Sequence, residues 1–365
     1  VDQLLDPQWM GSQFTPNGDT IRNHIKAFLD TRRTTIETFL PTAFTATTTL
    51  TVQNGLPRST SATDLGGLGG KLDPARTASV TVNGVAVTTN PYGSTAAADN
   101  TWSAGTAITL RPGLNTLVCE ARDESGIVFE TRTVTIWYDA IGVNRSGTLA
   151  SNESWTAASG PYNLTSSLTV PNGVTLTIQP GSTVFLAAGA NLTVAAGGNL
   201  VAPGTAASGI TLARLPSGAV NWGGLIVNGG TAQLSYVTFT NNGSTALHSQ
   251  NGADLSLDHL TFNNPGVQYL SLDGSSFAVS HCIFPSSTAG FEPVHGTGGI
   301  APGGRGIIRN CWFGKTQGYN DSIDFTGGTL IEVRTTSGPA DLAGMRAKLD
   351  ALKIGEPSLQ GYVDK

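Results

Sequence analysis

The chain has 365 residues, of which 12% are charged and 46 are glycine, with a formal net charge of −5 and a pI near 5.5. That length supports two or more domains with their own cores. The acidic balance without a basic stripe argues against a nucleic-acid partner, and no apolar run reaches the length of a membrane span. The Gly-, Thr-, Ser- and Asn-rich mix suits an all-β protein with many turns, secreted or displayed on a bacterial surface. Three cysteines, Cys119, Cys282 and Cys311, are too few for a disulfide framework, and without a CxxC pair they offer no thiolate zinc site. The opening Val1-Asp2-Gln3 is neither a start methionine nor a signal peptide, so the chain reads as a piece of something larger.

Residues 1–40 carry a helical stripe of Ile21, Ile25, Phe28, Leu29, Ile36, Phe39 and Leu40, startable by Asp19 or Thr20 and stopped by Pro41. One amphipathic helix cannot bury its own apolar face. The stretch "IRNHIKAFLDTRRTTIETFLP" resembles the closing helix of a CotH-like kinase domain. The nucleotide-binding core of that family would lie upstream, so no kinase activity is expected of this chain.

Residues 41–140 read as a β-sandwich. "TASVTVNGVAV" places Val80 and Val82 on one face and Asn83-Gly84 in a two-residue hairpin turn. A strand through Cys119, a turn at Asp123–Gly126 and a strand with Val134 and Ile136 alternating complete the pattern. The elements "VTVNG", "PGLN" and "D.SG" resemble bacterial immunoglobulin-like linker modules. Cys119 is expected to be a small buried apolar residue.

Residues 141–330 contain an internal repeat. Phe239, Phe262, Phe284 and Phe313 recur at spacings of 23, 22 and 29 residues, preceded two positions earlier by Val237, Leu260, Cys282 and Cys311, and five earlier by Leu234, Leu257, Val279 and Ile308. Apolar-x-x-apolar-x-Phe describes two short strands meeting at a two-residue corner, with alternate side chains inward. A period near 22 made of such strands describes a rung of a parallel β-helix. Upstream, strands are expected at Val174–Ile178, Thr183–Leu186 and Leu192–Val194. "GVTLTIQPGSTV" and "NWGGLIV" resemble the opening rungs of secreted right-handed pectate-lyase-like β-helices. The resemblance implies the fold; the same scaffold serves lyases, hydrolases, esterases and inert adhesive spikes. Residues 331–365 suggest a helical cap or tail, with Leu342, Met345, Leu349 and Leu352 on one face. The expected fold class is therefore all-β: a helical remnant (1–40), an immunoglobulin-like sandwich (41–140), a right-handed parallel β-helix (141–330) and a helical cap or tail (331–365).

The longer spacing before Phe313 implies a loop of roughly seven extra residues after Phe284. Glu292 and His295 fall there and are candidates for an acid/base couple, against the reading of two unrelated exposed side chains. Asp321 and Asp324 in "GYNDSIDF" are candidate carboxylates for glycoside hydrolysis or for Ca²⁺, against an Asx turn and a rung corner. "GYNDSIDFTGG", with "FEPVHG" and "IIRNCWFG", resembles a subgroup of secreted β-helix proteins in which further acidic turns follow. Polysaccharide lyases on this fold use Arg or Lys as base with Ca²⁺ on the uronate carboxylate. That resemblance makes Arg305, Lys315 and Tyr319 candidate substrate-binding residues, whereas Arg309 is expected at a corner facing solvent. His259 and His281, each three residues before its Phe, should stack on one outward column beside Asp258, as structural corner residues or, alternatively, as metal ligands. Cys282 and Cys311 share an inward ladder position and are expected to be free thiols, with a cross-rung disulfide as the alternative. Two function classes remain: a monomeric extracellular module that binds or processes a polysaccharide or other cell-surface glycan, and a non-catalytic structural or adhesive part of a surface protein.

Overall fold

Alternation with a period of two, interrupted by left-handed turn residues, organises this chain. The computed structural model describes residues 23–32, 43–90, 100–243, 245–264, 268–286, 293–296, 300, 303–314 and 344. Residues 23–32 are helical. Phe28 and Leu29 of the expected stripe are exposed there, with the Arg32 guanidinium 5.2 Å from the Phe28 ring centre. The second of the chain's two compact units, Phe325–Lys365, lies outside the described residues apart from Gly344, which is helical. The expected C-terminal helix therefore also lies outside them.

Residues 43–140 form two sheets around one core. Six strands run in the order Val52–Gln53, Leu56–Ser59, Val128–Tyr138, Gly113–Arg122, Ser79–Val82 and Val85–Ala86; three more run Gly69–Lys71, Thr101–Ser103 and Thr88–Asn90. The pairs are antiparallel except Leu56–Ser59 with Val128–Tyr138, which is parallel. Val80, Val82, Cys119 and Ile136 are buried against Phe44, Leu68 and Trp102. Burial pushes the Cys119 thiol up to about 11, so it packs as a neutral apolar group. The hairpin turn is at Asn83-Gly84, with φ of 49° and 78°, the left-handed pair that a two-residue turn requires.

From Val143 onward every ladder is parallel, and successive strands stack into a seven-stranded sheet, here sheet II, and a 13-stranded sheet whose two arms are here sheets I and III. Sheet I holds Leu192–Val194, Leu225–Asn228, Leu247–Gln250, Leu270–Leu272 and Val294–His295. Sheet II runs from Glu153–Trp155 through Thr175–Ile178, Asn199–Pro203, Thr231–Ser235, Asp254–Asp258 and Ser276–Ser280 to Gly306–Arg309. Sheet III holds Thr183–Leu186, Ile210–Arg214, Val237–Thr240, Thr261–Phe262, Ile283–Phe284 and Trp312–Phe313. The long strand Tyr162–Val170 joins sheets I and III at the first full rung. This is a parallel β-helix, and the strands expected at Thr183–Leu186 and Leu192–Val194 have those bounds.

The phenylalanine repeat is its spine. Phe239 and Phe262 pair across sheet III, as do Phe284 and Phe313. Their rings stack at 5.3, 5.4 and 4.8 Å between successive centres. Full burial of each such side chain contributes about 1.5–3 kcal/mol, and offset stacking adds about 0.5–1.5 kcal/mol per pair. On the last four rungs the corner between sheets II and III is a single left-handed residue: Tyr236, His259, His281 and Asn310, with φ between 49° and 53°. The next residue on the three later rungs, Leu260, Cys282 or Cys311, turns toward the core.

The two-sheet domain packs against the side of the solenoid. Trp137 packs with Phe185 and Ala213, flanked by Leu56, Leu114 and Leu215. The Leu114 N–H donates to Thr183 Oγ1 (3.0 Å), and Arg111 Nη1 donates to Ser208 Oγ (3.0 Å). Gly113, at φ 98°, permits the approach; a Cβ there would come within 2.4 Å of the Thr183 Cβ.

Candidate functional site

Sheet I carries the clearest polar constellation. In its strands the residues alternate: Leu247 and Ser249 point in and are buried, His248 and Gln250 point out and are half-buried. The parallel register then sets His248 beside Ser271, and Ser271 beside His295, on three successive rungs. Strand spacing of about 4.8 Å keeps such neighbours within side-chain reach.

Asp273 completes the group. Its Oδ2 accepts from Ser271 Oγ at 2.8 Å and pairs with His248 Nε2 at 3.0 Å. In the neutral ring, donation from Nε2 leaves Nδ1 of His248 as an acceptor toward an incoming hydroxyl. Ser271 is almost wholly buried, whereas His248 and Asp273 keep about a third of their side-chain surface in solvent. Asn228 and Gln250 pair on the same outward face. A carboxylate, imidazoles, a hydroxyl and amides on one rigid sheet can bind a polyhydroxylated chain and can move protons.

The expected loop after Phe284 is corrected. His295 lies in the sheet I strand Val294–His295, and its rung neighbour is Ser271. The extra residues fall mostly after that strand: twelve positions separate Val294 from Gly306, against seven from Leu270 to Phe277, their rung equivalents. The extra length therefore falls between the sheet I and sheet II strands, at that rung's corner. Arg305 ends that corner; its N–H donates to Ser276 Oγ (3.2 Å), its carbonyl accepts from Phe277 N–H, and its side chain is exposed. Glu292, Lys315, Tyr319, Asp321 and Asp324 lie outside the described residues. Arg309 is exposed at the end of its strand, one residue before the Asn310 corner.

Cys282 and Cys311 are free thiols on successive rungs, each donating to the carbonyl two residues before it, Ser280 and Arg309, at 3.3 Å. The two thiols also interact with one another across the rung, which pushes the Cys282 thiol up and draws the Cys311 thiol down. His259 and His281 stack one rung apart as expected, 4.7 Å between ring centres.

The sequence reading named His295 but missed His248, Ser271 and Asp273. Nothing in their spacing from the Phe repeat marks them, since they sit in the sheet before the corner on which that repeat is aligned. The available signal was the outward parity of His248 in "LHSQ" and of Ser271 in "LSL" one rung later.

The family model for a pectate-lyase like beta helix domain matches residues 147–257, from the first parallel strand into the sheet II strand that ends at Asp258. Among curated proteins, the protein translocase subunit SecF of Rickettsia typhi (strain ATCC VR-144 / Wilmington) is 48% identical over 56 residues, 15% of this chain and 18% of that protein. The SecF of Rickettsia prowazekii (strain Madrid E) is 54% identical over 44 residues, 12% of this chain and 14% of that protein. The chain thus spans less than a fifth of either relative. No solved structure matches.

Proposed function

We propose that this chain is an extracellular bacterial module whose β-helix binds a polysaccharide along sheet I. The observation that carries the reading is the His248–Ser271–His295 column with Asp273 beside it, on a solenoid that matches a pectate-lyase like domain. Consecutive rungs repeat at about the length of one sugar unit, so a linear glycan laid across the strands meets at least one outward polar side chain, Asn228, His248, Ser271 or His295, on four successive rungs. The helix at residues 23–32 and the two-sheet domain fit the end of a CotH-like domain and an immunoglobulin-like linker.

Affinity electrophoresis of the whole chain in gels carrying polygalacturonate or a neutral glucan tests the reading. Retarded migration is expected for one of them, and loss of retardation in His248→Ala and Asp273→Asn at unchanged thermal stability. Unretarded wild type on a broad glycan panel, or variants retarded like wild type, would overturn it. Ultraviolet absorbance of unsaturated products in the same samples separates a lyase from a binder.

A second reading is a rigid spacer in a surface protein, favoured by the apolar junction of Trp137, Phe185 and Ala213. It predicts one cooperative unfolding transition for sandwich and solenoid and no glycan retardation.

A further inference from the structure

At the corner between sheets II and III, outside the sheet I column, three side chains converge. His259 and His281 are the left-handed corner residues of successive rungs, and their rings stack at 4.7 Å and 19°. Asp258, the last residue of its strand, reaches both: Oδ2 lies 2.8 Å from His259 Nδ1, and Oδ1 lies 2.9 Å from His281 Nδ1. All three keep roughly a third or more of their side-chain surface in solvent. One oxygen and two imidazole nitrogens lie within 4.8 Å of one another.

We infer that Asp258, His259 and His281 bind a divalent transition-metal ion of the zinc class, with the fourth position open to solvent. Two imidazoles and one carboxylate are the donor set such ions prefer, whereas calcium and magnesium take oxygen. Tetrahedral ligation at about 2.0–2.1 Å places donors about 3.4 Å apart. The two Nδ1 atoms therefore draw together by a tilt of their stacked rings, which the open side of the corner leaves room for. The surrounding groups match an outer coordination shell. Ser280 Oγ donates to Asp258 Oδ1 at 2.7 Å, and the Asn310 side-chain amide lies 3.2 Å from His281 Nε2. With Nδ1 on the metal and Nε2 protonated, the Asn310 amide, whose Nδ2 now faces Nε2, turns over to present its oxygen as acceptor, which fixes the tautomer and the ring.

The probe is Co²⁺ alone, added to the metal-stripped whole chain and read by its visible absorption, with Zn²⁺ as competitor in calorimetry. One Co²⁺ per chain with a four- or five-coordinate spectrum, displaced by Zn²⁺, is the expected result. His259→Phe and His281→Phe remove a donor and retain a stacking ring. Tyr236 occupies the same left-handed column at φ 49° and stacks on His259 at 4.3 Å, so an aromatic ring fits there. Outer-shell losses weaken metal binding by about 10–100-fold; Ser280→Ala should do so, and each Phe variant should lose about 100-fold or more. A wild-type chain with no one-to-one Co²⁺ spectrum, or Phe variants that bind Co²⁺ as wild type does, would overturn the inference.

Discussion

Asp258 shows how one side chain can tie two rungs together. It accepts from His259 on its own rung and from Ser280 and His281 on the next. Because its folded pKa of about 2 lies below the ordinary 3.8, its contribution to stability is fully present above about pH 4. That contribution is lost as the pH falls from there through about 2. Melting the metal-free chain across that range should show a steeper acid loss for wild type than for Asp258→Asn, with the curves converging at the acid end; parallel curves would deny the carboxylate this role. At this scale the sequence was legible where residues keep a fixed offset from the Phe repeat. His259 and His281 do so, and their stacking follows. His248 and Asp273 do not, because the turns between sheets I and II and sheets III and I vary in length and hide which residues become neighbours.

Among elements, the turn from sheet I to sheet II repeats a glycine with positive φ on successive rungs, at Gly173, Gly197, Gly229, Gly252 and Gly274. The cause differs along the column. At Gly197 a Cβ would meet the Asn172 side chain at 2.2 Å, whereas at Gly252, φ 75°, nothing lies within 4 Å. Gly252→Ala therefore isolates backbone strain, about 1–2 kcal/mol of destabilisation, and denaturant titration should show a lower midpoint at unchanged slope. Strand bounds were readable in the early rungs because turn glycines there bracket short apolar alternations. The insertion near His295 was misplaced because a two-residue strand leaves no periodicity to detect; its ladder partners Leu270 and Ser271 define it.

For the molecule as a whole, the decisive feature is the seam between the two-sheet domain and the solenoid. Its signal is visible in retrospect: Phe185 in "TVFL" occupies an outward position of a strand whose four residues are all buried, so something must cover that face. No sequence rule names Trp137, on a strand of the other domain, as the cover. Leu114 N–H to Thr183 Oγ1 and Asn54 Nδ2 to the Pro216 carbonyl brace the same seam. Ala213→Asp would bury an unpaired charge there and Trp137→Ala would open a cavity costing about 3–5 kcal/mol. Differential scanning calorimetry should resolve one transition in wild type and two in Ala213→Asp. A single transition in both would show that the two bodies are coupled elsewhere.

The parallel ladders have a mechanical corollary. Their hydrogen bonds run along the solenoid axis, from rung to rung, so tension along that axis loads each ladder end-on and peels turns away one at a time. A turn near 22 residues, once freed, adds about 75 Å of slack at roughly 3.4 Å per residue. A chain held by its two-sheet domain and pulled at the far rungs would thus pay out as a reel does, one rung of 22 to 29 residues at a time, absorbing stretch while the seam with that domain stays shut.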